Sequence, residues 1–352
     1  MLTFALVGCG RIAKRHSELL GHQQIAGARL GGVTDIVVEK ARKIGEQFSV
    51  PWFDDMHEMM TSVKPDVAVV LTESGNHAKH VIELARHRKH IIVEKPMALT
   101  IDDADAMIQA CDAHGVKLFV VKQNRFNVPV VKLREALDAD RFGKLVLGTV
   151  RVRWCRDQSY YDQDAWRGTW ALDGGVLTNQ ASHHIDLLQW MMGDVESVFA
   201  RSATALVNIE AEDTAVVVLK FRNGALGIIE ATTATRPKDL EGSISILGER
   251  GAVEIGGFAV NKMKSWNFTM PAPEDADVMD KYSVNPPNVY GFGHQAYYEH
   301  VVAGLERDSQ QLIDGLVGRR SLELIMAIYE SVETGKEVFL RFRPKYCRLG
   351  GT

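Results

Sequence analysis

Cysteine is scarce in this chain of 352 residues, and the few present stand apart: Cys9, Cys111, Cys155 and Cys347, with no C-x-x-C pair. That spacing excludes a disulfide frame and a cysteine-built zinc centre. No metal is expected, and a reducing, cytoplasmic setting is. Also missing is any run of about 20 apolar residues, which excludes a transmembrane helix. Arg11, Lys14 and Arg15 interrupt the apolar start of the chain, so no signal peptide is expected. An excess of positive charge is absent too. The formal net charge of −4 points away from nucleic acid and anionic membranes as partners. There is no internal repeat and no low-complexity tract. What remains is the composition of a globular chain long enough for two domains.

Present instead, close to the first residue, is Gly8-Cys9-Gly10-Arg11-Ile12-Ala13. An apolar run at 2–7 precedes it and a helix-like stretch follows, the context that gives G-x-G-x-x-[GA] its meaning. Gly8 permits the tight turn, Gly10 lets a pyrophosphate approach the backbone, and Ala13 lets helix and strand sit close. The phosphates would then meet the unpaired N–H groups of a helix N-terminus. Asp35 ends the next apolar run, where a ribose-binding acid is expected, and no basic residue follows until Lys40. A carboxylate there repels a 2′-phosphate, so NAD is expected over NADP. An ordinary turn with Asp35 capping a helix is the plainer alternative.

From 1 to 122 apolar runs (2–7, 30–34, 67–72, 90–93, 117–121) alternate with helix-like stretches (11–21, 36–48, 55–62, 77–89, 101–114). This predicts an α/β Rossmann domain with a parallel sheet, and ligands at the carboxyl ends of its strands. Besides Gly8, Cys9, Gly10, Arg11, Ile12 and Asp35, those ends carry Thr72, Ser74 and His77 in one turn and Glu94-Lys95-Pro96 in another. From 123 to 352 the pattern changes. A helix at 128–138 is followed by β-like runs at 145–155, 195–207, 213–221, 225–234 and 243–248. Helices are expected at 180–192, 292–306 and 317–334, and a long surface loop at 271–287. Strands without intervening helices predict an α+β domain on a mostly antiparallel sheet.

Three constellations carry chemistry. Lys95 ends a buried strand at the cofactor edge. A partly desolvated amine there can hydrogen-bond a substrate hydroxyl, or can simply pair with Glu94. Asn179 and His183 stand four apart, on one face if the segment is helical. An imidazole can take the proton of an alcohol as hydride leaves carbon. Spacing alone does not choose between His183 and His184, and Asn179 serves equally as a helix cap. Trp166-Arg167-Gly168-Thr169-Trp170, preceded by Arg156, Tyr160 and Tyr161, offers guanidinium forks and aromatic faces, or a loop pinned by its tryptophans. Gln123-Asn124-Arg125 follows the last parallel strand, facing the interdomain cleft.

Taken together, GCGRIA at 8–13, EKP at 94–96 and the GG…H…D stretch at 174–186 resemble the Gfo/Idh/MocA (glucose–fructose oxidoreductase/inositol dehydrogenase) family over nearly the whole chain. The resemblance implies an open sheet in the second domain and makes Lys95 and His183 the catalytic pair. This chain has Asn179 where the family commonly has Asp, Asp173 where it has Gly, and Ala181 before Ser-His. Those departures, with LFVVKQNRFN at 118–127, WRGTW at 166–170, NQASHHIDLL at 179–188, NIEAEDT at 208–214 and KDLEGSISILGERG at 238–251, are similar to the UDP-N-acetyl-2-amino-2-deoxyglucuronate dehydrogenases of bacterial surface-polysaccharide synthesis. That group implies NAD-dependent oxidation of a sugar C3′ hydroxyl, a nucleotide-sugar partner and a homotetramer. Expected substrate contacts are Lys95, Arg125, Tyr160, Arg167, Asn179, His183 and Arg320. Gln123, Trp166 and Arg167 join Glu94, Lys95 and the loop residues above as cofactor contacts. Competing readings are a dehydrogenase of a free sugar or inositol, an NAD-dependent glycosidase, and a non-enzymatic dinucleotide sensor, which would have no need of the Lys–His pair.

Overall fold

The computed structural model describes residues 1–283, 292–307 and 313–340; Cys347 lies outside them. In chain order the first lobe runs β1 (Leu2–Val7), α1 (Ala13–Gly21), β2 (Ala28–Thr34), α2 (Val38–Phe48), β3 (Trp52–Phe53), α3 (Met56–Val63), β4 (Val67–Val70), α4 (His77–Ala85), β5 (His90–Val93), α5 (Ile101–Ala113) and β6 (Leu118–Val120). The strands form one parallel sheet in the order β3-β2-β1-β4-β5-β6. The alternation reads directly as crossovers, because parallel neighbours need a connection long enough to return. The two-residue β3 went unpredicted; it is too short to leave a periodic signal.

Both faces of this sheet are covered. Phe4 and Leu6 of β1 pack with Leu19 and Leu20 of α1, while Ala5 and Val7 between them pack with Met59 of α3 and Val81 of α4. Side chains alternate across a strand, so a sheet covered on both sides needs apolar residues without a break.

The chain continues through α6 (Val128–Asp138), β7 (Leu145–Arg153), α7 (Gln158–Tyr161), α8 (Ser182–Met192), β8 (Val195–Ala203), β9 (Thr214–Phe221), β10 (Leu226–Thr232), β11 (Glu241–Gly248), β12 (Gly251–Gly256), β13 (Lys262–Phe268), α9 (Val278–Lys281), α10 (Gly293–Arg307), α11 (Gly315–Thr334) and β14 (Val338–Phe339). Its strands form a second sheet, β13-β12-β11-β7-β10-β9-β8-β14, antiparallel except where β7 pairs with β10. One face is buried with Ile185, Leu188 and Met192 of α8 and Leu324 and Ile328 of α11. The other is open and exposes Phe199, Val216, Val218, Leu226 and Ile228. Helix α10 returns to the first lobe, where Tyr297, Tyr298, Val301 and Val302 join the core of Phe4 and Leu6.

Two segments depart from the sequence reading. Strands β12 and β13 extend the sheet beyond residue 248; buried Val253, Ile255, Met263 and Trp266 alternate there with Glu254, Lys262 and Lys264, a signal diluted by glycine and charge. The stretch expected as loop holds a 3₁₀ turn (Pro273–Asp277) and α9, whose Val278 enters the second core; residues 284–287 lie outside those described. Among the described residues no helix is long and apolar enough to cross a membrane.

Gly8 closes β1 with φ +97°, and a Cβ there would lie 2.9 Å from the carbonyl carbon of Leu71. Strain and contact act together, so Gly8→Ala is expected to cost about 1–3 kcal/mol, measured by urea unfolding.

Candidate active site

The carboxyl ends of the first sheet face the second lobe across a cleft of about 1220 Å³. That is more than the roughly 300–1,000 Å³ of a site for one small ligand. The lobes touch where the Gly75 N–H donates to the Leu172 carbonyl at 3.1 Å. A Cβ on Gly75 would lie 2.3 Å from the Ala171 oxygen, so only glycine permits this approach.

On the first lobe, Gly8, Cys9, Gly10, Arg11, Ile12 and Asp35 line the cleft together. Asp35 Oδ2 accepts from the Cys9 N–H at 2.7 Å and Oδ1 from Val37 N–H at 2.8 Å, which fixes the acid against the loop. A Cβ on Gly10 would meet nothing within 4 Å, leaving the free space that a pyrophosphate requires. Cys9 turns inward, its thiol pushed up to about 12 by burial and by Asp35, which makes it structural rather than reactive. Thr72 Oγ1 bonds His80 Nδ1 at 2.9 Å. His77 is buried with its ring nitrogens 2.8 Å and 3.0 Å from the carbonyls of Pro96 and Thr72, so it ties the two turns together.

Lys95 is half-buried. Its Nζ crosses to the second lobe and donates to the Asn179 carbonyl at 2.8 Å. Burial lowers its pKa, opposed by Glu94 and Asp173. Glu94 Oε2 accepts from the Lys95 backbone N–H at 2.9 Å, and Oε1 accepts from His16 Nε2 at 3.1 Å. Burial pushes the Glu94 carboxyl up, but the His16 hydrogen bond and the nearby His16, His294 and Lys95 outweigh it and hold the group at about 2. Glu94 is therefore an anion at neutral pH. The buried Tyr298 hydroxyl, 2.6 Å from His16 Nδ1, completes the chain.

On the second lobe, the run 173–183 brings Asp173, Asn179, Gln180 and His183 to the cleft. Helix α8 begins only at Ser182, so Asn179 stands in the turn before it, neither on the helix face nor its cap residue. Asn179 and His183 both line the cleft even so. The Gln123 amide donates to His183 Nε2 at 2.9 Å. Burial, then the charges of Lys95 and Lys122, hold His183 well below its ordinary value, so its imidazole is neutral. Two guanidiniums approach the Tyr160 ring, Arg167 at 4.6 Å and Arg156 at 5.4 Å. Arg167 also covers Trp166 at 4.7 Å and pairs with Asp164, while Arg156 covers Trp154 at 5.4 Å and pairs with Asp239.

Two expected contacts are not brought to the cleft. Arg125 binds Asp186 through Nε at 2.8 Å and Nη2 at 2.9 Å and lies over Trp190. Both side chains are largely buried, and the guanidinium is committed to this carboxylate. Arg320 is exposed and pairs with Asp194. Sequence reasoning missed Asp173, Trp154, Gln180 and His294 as lining residues. Asp173 stood beside the recognised glycines, but only the fold turns its carboxylate inward.

This arrangement defines a two-lobed NAD-dependent oxidoreductase. Residues 2–122 match the profile for the oxidoreductase family's NAD-binding Rossmann fold, and residues 134–340 that for its C-terminal alpha/beta domain. The chain belongs to the Gfo/Idh/MocA oxidoreductase family. It is similar to the WlbA dehydrogenase of Bordetella pertussis, crystallised with NADH and UDP-GlcNAcA: 42% identity over 97% of this chain and 98% of that one, TM-score 0.92. The WlbA dehydrogenase of Chromobacterium violaceum, solved with the same two ligands, is 41% identical over 97% of each chain, with TM-score 0.90. Myo-inositol 2-dehydrogenase of Thermotoga maritima is 30% identical over 72% of this chain and 74% of its own length.

His184, beside the site, is fully buried with neither ring nitrogen hydrogen-bonded and with Trp154 edge-on at 5.8 Å. Burial pushes it down to about 4. The unfolded ring titrates near 6.5, so its contribution is complete above that pH and is lost as pH falls towards 4. The loss is about 3 kcal/mol at most. His184→Leu is expected to flatten the decline in melting temperature between about pH 6.5 and 4.

Proposed function

We propose that the protein oxidises the C3′ hydroxyl of a UDP-linked N-acetylated hexuronate, with NAD as oxidant, in the synthesis of bacterial surface-polysaccharide sugars. The observation that carries this reading is the meeting, in one cleft, of a buried amine from the first lobe and a neutral imidazole from the second. Resemblance over 97% of the chain to two dehydrogenases crystallised with NADH and UDP-GlcNAcA supports the choice of sugar.

The glycine loop and Asp35 hold the dinucleotide, which when bound supplies the hydride acceptor. His183 takes the hydroxyl proton. Its Nε2 lone pair, occupied by the Gln123 amide, is the position a substrate hydroxyl claims on entry. Lys95 hydrogen-bonds the same oxygen and stabilises the negative charge that develops on it. Asn179 fixes the amine through its carbonyl and stands at the sugar. Arg156 and Arg167, partly neutralised by Asp239 and Asp164, retain N–H groups for the diphosphate or the carboxylate, and Tyr160 and Trp166 offer faces for stacking.

The test is single-turnover formation of NADH from UDP-GlcNAcA, followed by absorbance, with the 3-keto product identified by mass. Sugar without UDP serves as control, and its oxidation at equal rate would establish a free-sugar dehydrogenase instead. In Lys95→Ala, turnover is expected to fall by on the order of 10²-fold with NADH affinity retained. Wild-type turnover in that variant would remove Lys95 from the mechanism.

The open face of the second sheet supports a homotetramer. Phe199, Val218 and Ile228 lie side by side across β8, β9 and β10, an exposed apolar patch with the Arg153–Glu230 pair beyond it on β7 and β10. Val218→Glu is expected to reduce the mass measured by light scattering without unfolding the chain. An unchanged mass would place the contact elsewhere.

A further inference from the structure

Asp173 is 2% exposed and lines the cleft. Its Oδ1 accepts from the Asn179 side-chain amide at 2.5 Å, and its Oδ2 from the Gly168 backbone N–H at 2.8 Å. One carboxylate thus joins the Trp166–Trp170 turn to the residue whose carbonyl receives Lys95. Two neutral donors do not neutralise a buried anion, so a counter-charge must be near.

We infer that Asp173 is a positioning residue for Lys95: through the Asn179 side chain it fixes the carbonyl that receives the amine, and it brings a carboxylate of the second lobe into the cleft that the amine enters. This deepens the proposed function and rests on the role given there to Lys95.

The surrounding charges favour this assignment. Lys95 interacts with Glu94 and Asp173 as anions, and with Lys122 and His183. Glu94 is shared with His16 and His294, so it does not serve Lys95 alone. Asp173 faces Lys95 and Arg167 as cations, with Glu212 and Tyr161 nearby. Glu212, raised to about 7 chiefly by burial, is substantially protonated at neutral pH, which limits repulsion between the two acids. Burial raises Asp173 itself, and the Gly168 and Asn179 hydrogen bonds with Lys95 and Arg167 oppose it.

The experiment compares wild type with Asp173→Asn, which keeps the shape and removes the charge. Lys95 in the cleft is titrated by competitive acetylation with acetic anhydride across pH, read by mass spectrometry on the full chain, with exposed lysines as internal standards. The Lys95 midpoint is expected to fall by about one pH unit in the variant. The alkaline limb of kcat/KM for UDP-GlcNAcA should move to lower pH by the same amount. A wild-type midpoint in folded Asp173→Asn overturns the inference, even if activity falls. Asp173→Ser, which keeps a hydrogen-bonding oxygen, is read in the same way should the first variant not fold. The acetylation needs no substrate. Failure of wild type to oxidise the sugar would therefore refute the proposed function while the Lys95 midpoints still decide the role of Asp173.

Discussion

The hydrogen bond from Lys95 Nζ to the Asn179 carbonyl ties the two lobes together across the cleft. A lysine amine is strongly hydrated, and burying one is costly unless acceptors and negative charge are in place. Here the acceptor comes from one lobe and the lysine from the other. Neither lobe alone therefore completes the site. The glycine-only contact between Gly75 and Ala171–Leu172 brings the lobes to the required distance, and the α10 side chains under the first sheet fasten the later part of the chain to the earlier.

The same constraint explains why the acids lie where they do. Glu94 is anchored beside Lys95 by His16, itself held by Tyr298, so a helix that begins just after the glycine loop also fixes the strand end that carries Lys95. Loop and lysine are thereby placed by one network.

Much of this was legible in the sequence, for identifiable reasons. Strand–glycine–helix order is local, so Gly8, Gly10 and Asp35 could be placed from spacing. The parallel sheet followed from uninterrupted apolar runs, since a strand covered on both faces has no polar side. Lys95 could be placed at a strand end, but its partner could not, because Asn179 is 84 positions away and meets it through a backbone carbonyl. Arg125 illustrates the limit. A guanidinium after the last parallel strand reads as a ligand contact, and only the fold reveals Asp186 at 2.8 Å. Asp173 failed in the opposite direction, since a residue beside two glycines reads as part of a turn.

The electrostatic pattern of the cleft follows from matching, not from abundance of charge. His183 is useful as an acceptor only while neutral, and its two cationic neighbours, Lys95 and Lys122, together with burial, keep it so. Those cations would themselves lose protons in so dry a place. Asp186 balances Lys122, and Glu94 and Asp173 balance Lys95. The acids therefore protect the charge on the amines, and the amines protect the neutrality of the imidazole. In the proposed reaction the acceptor is the His183 Nε2 that the Gln123 amide now occupies, and the donor is the Lys95 amine that the Asn179 carbonyl holds in the cleft.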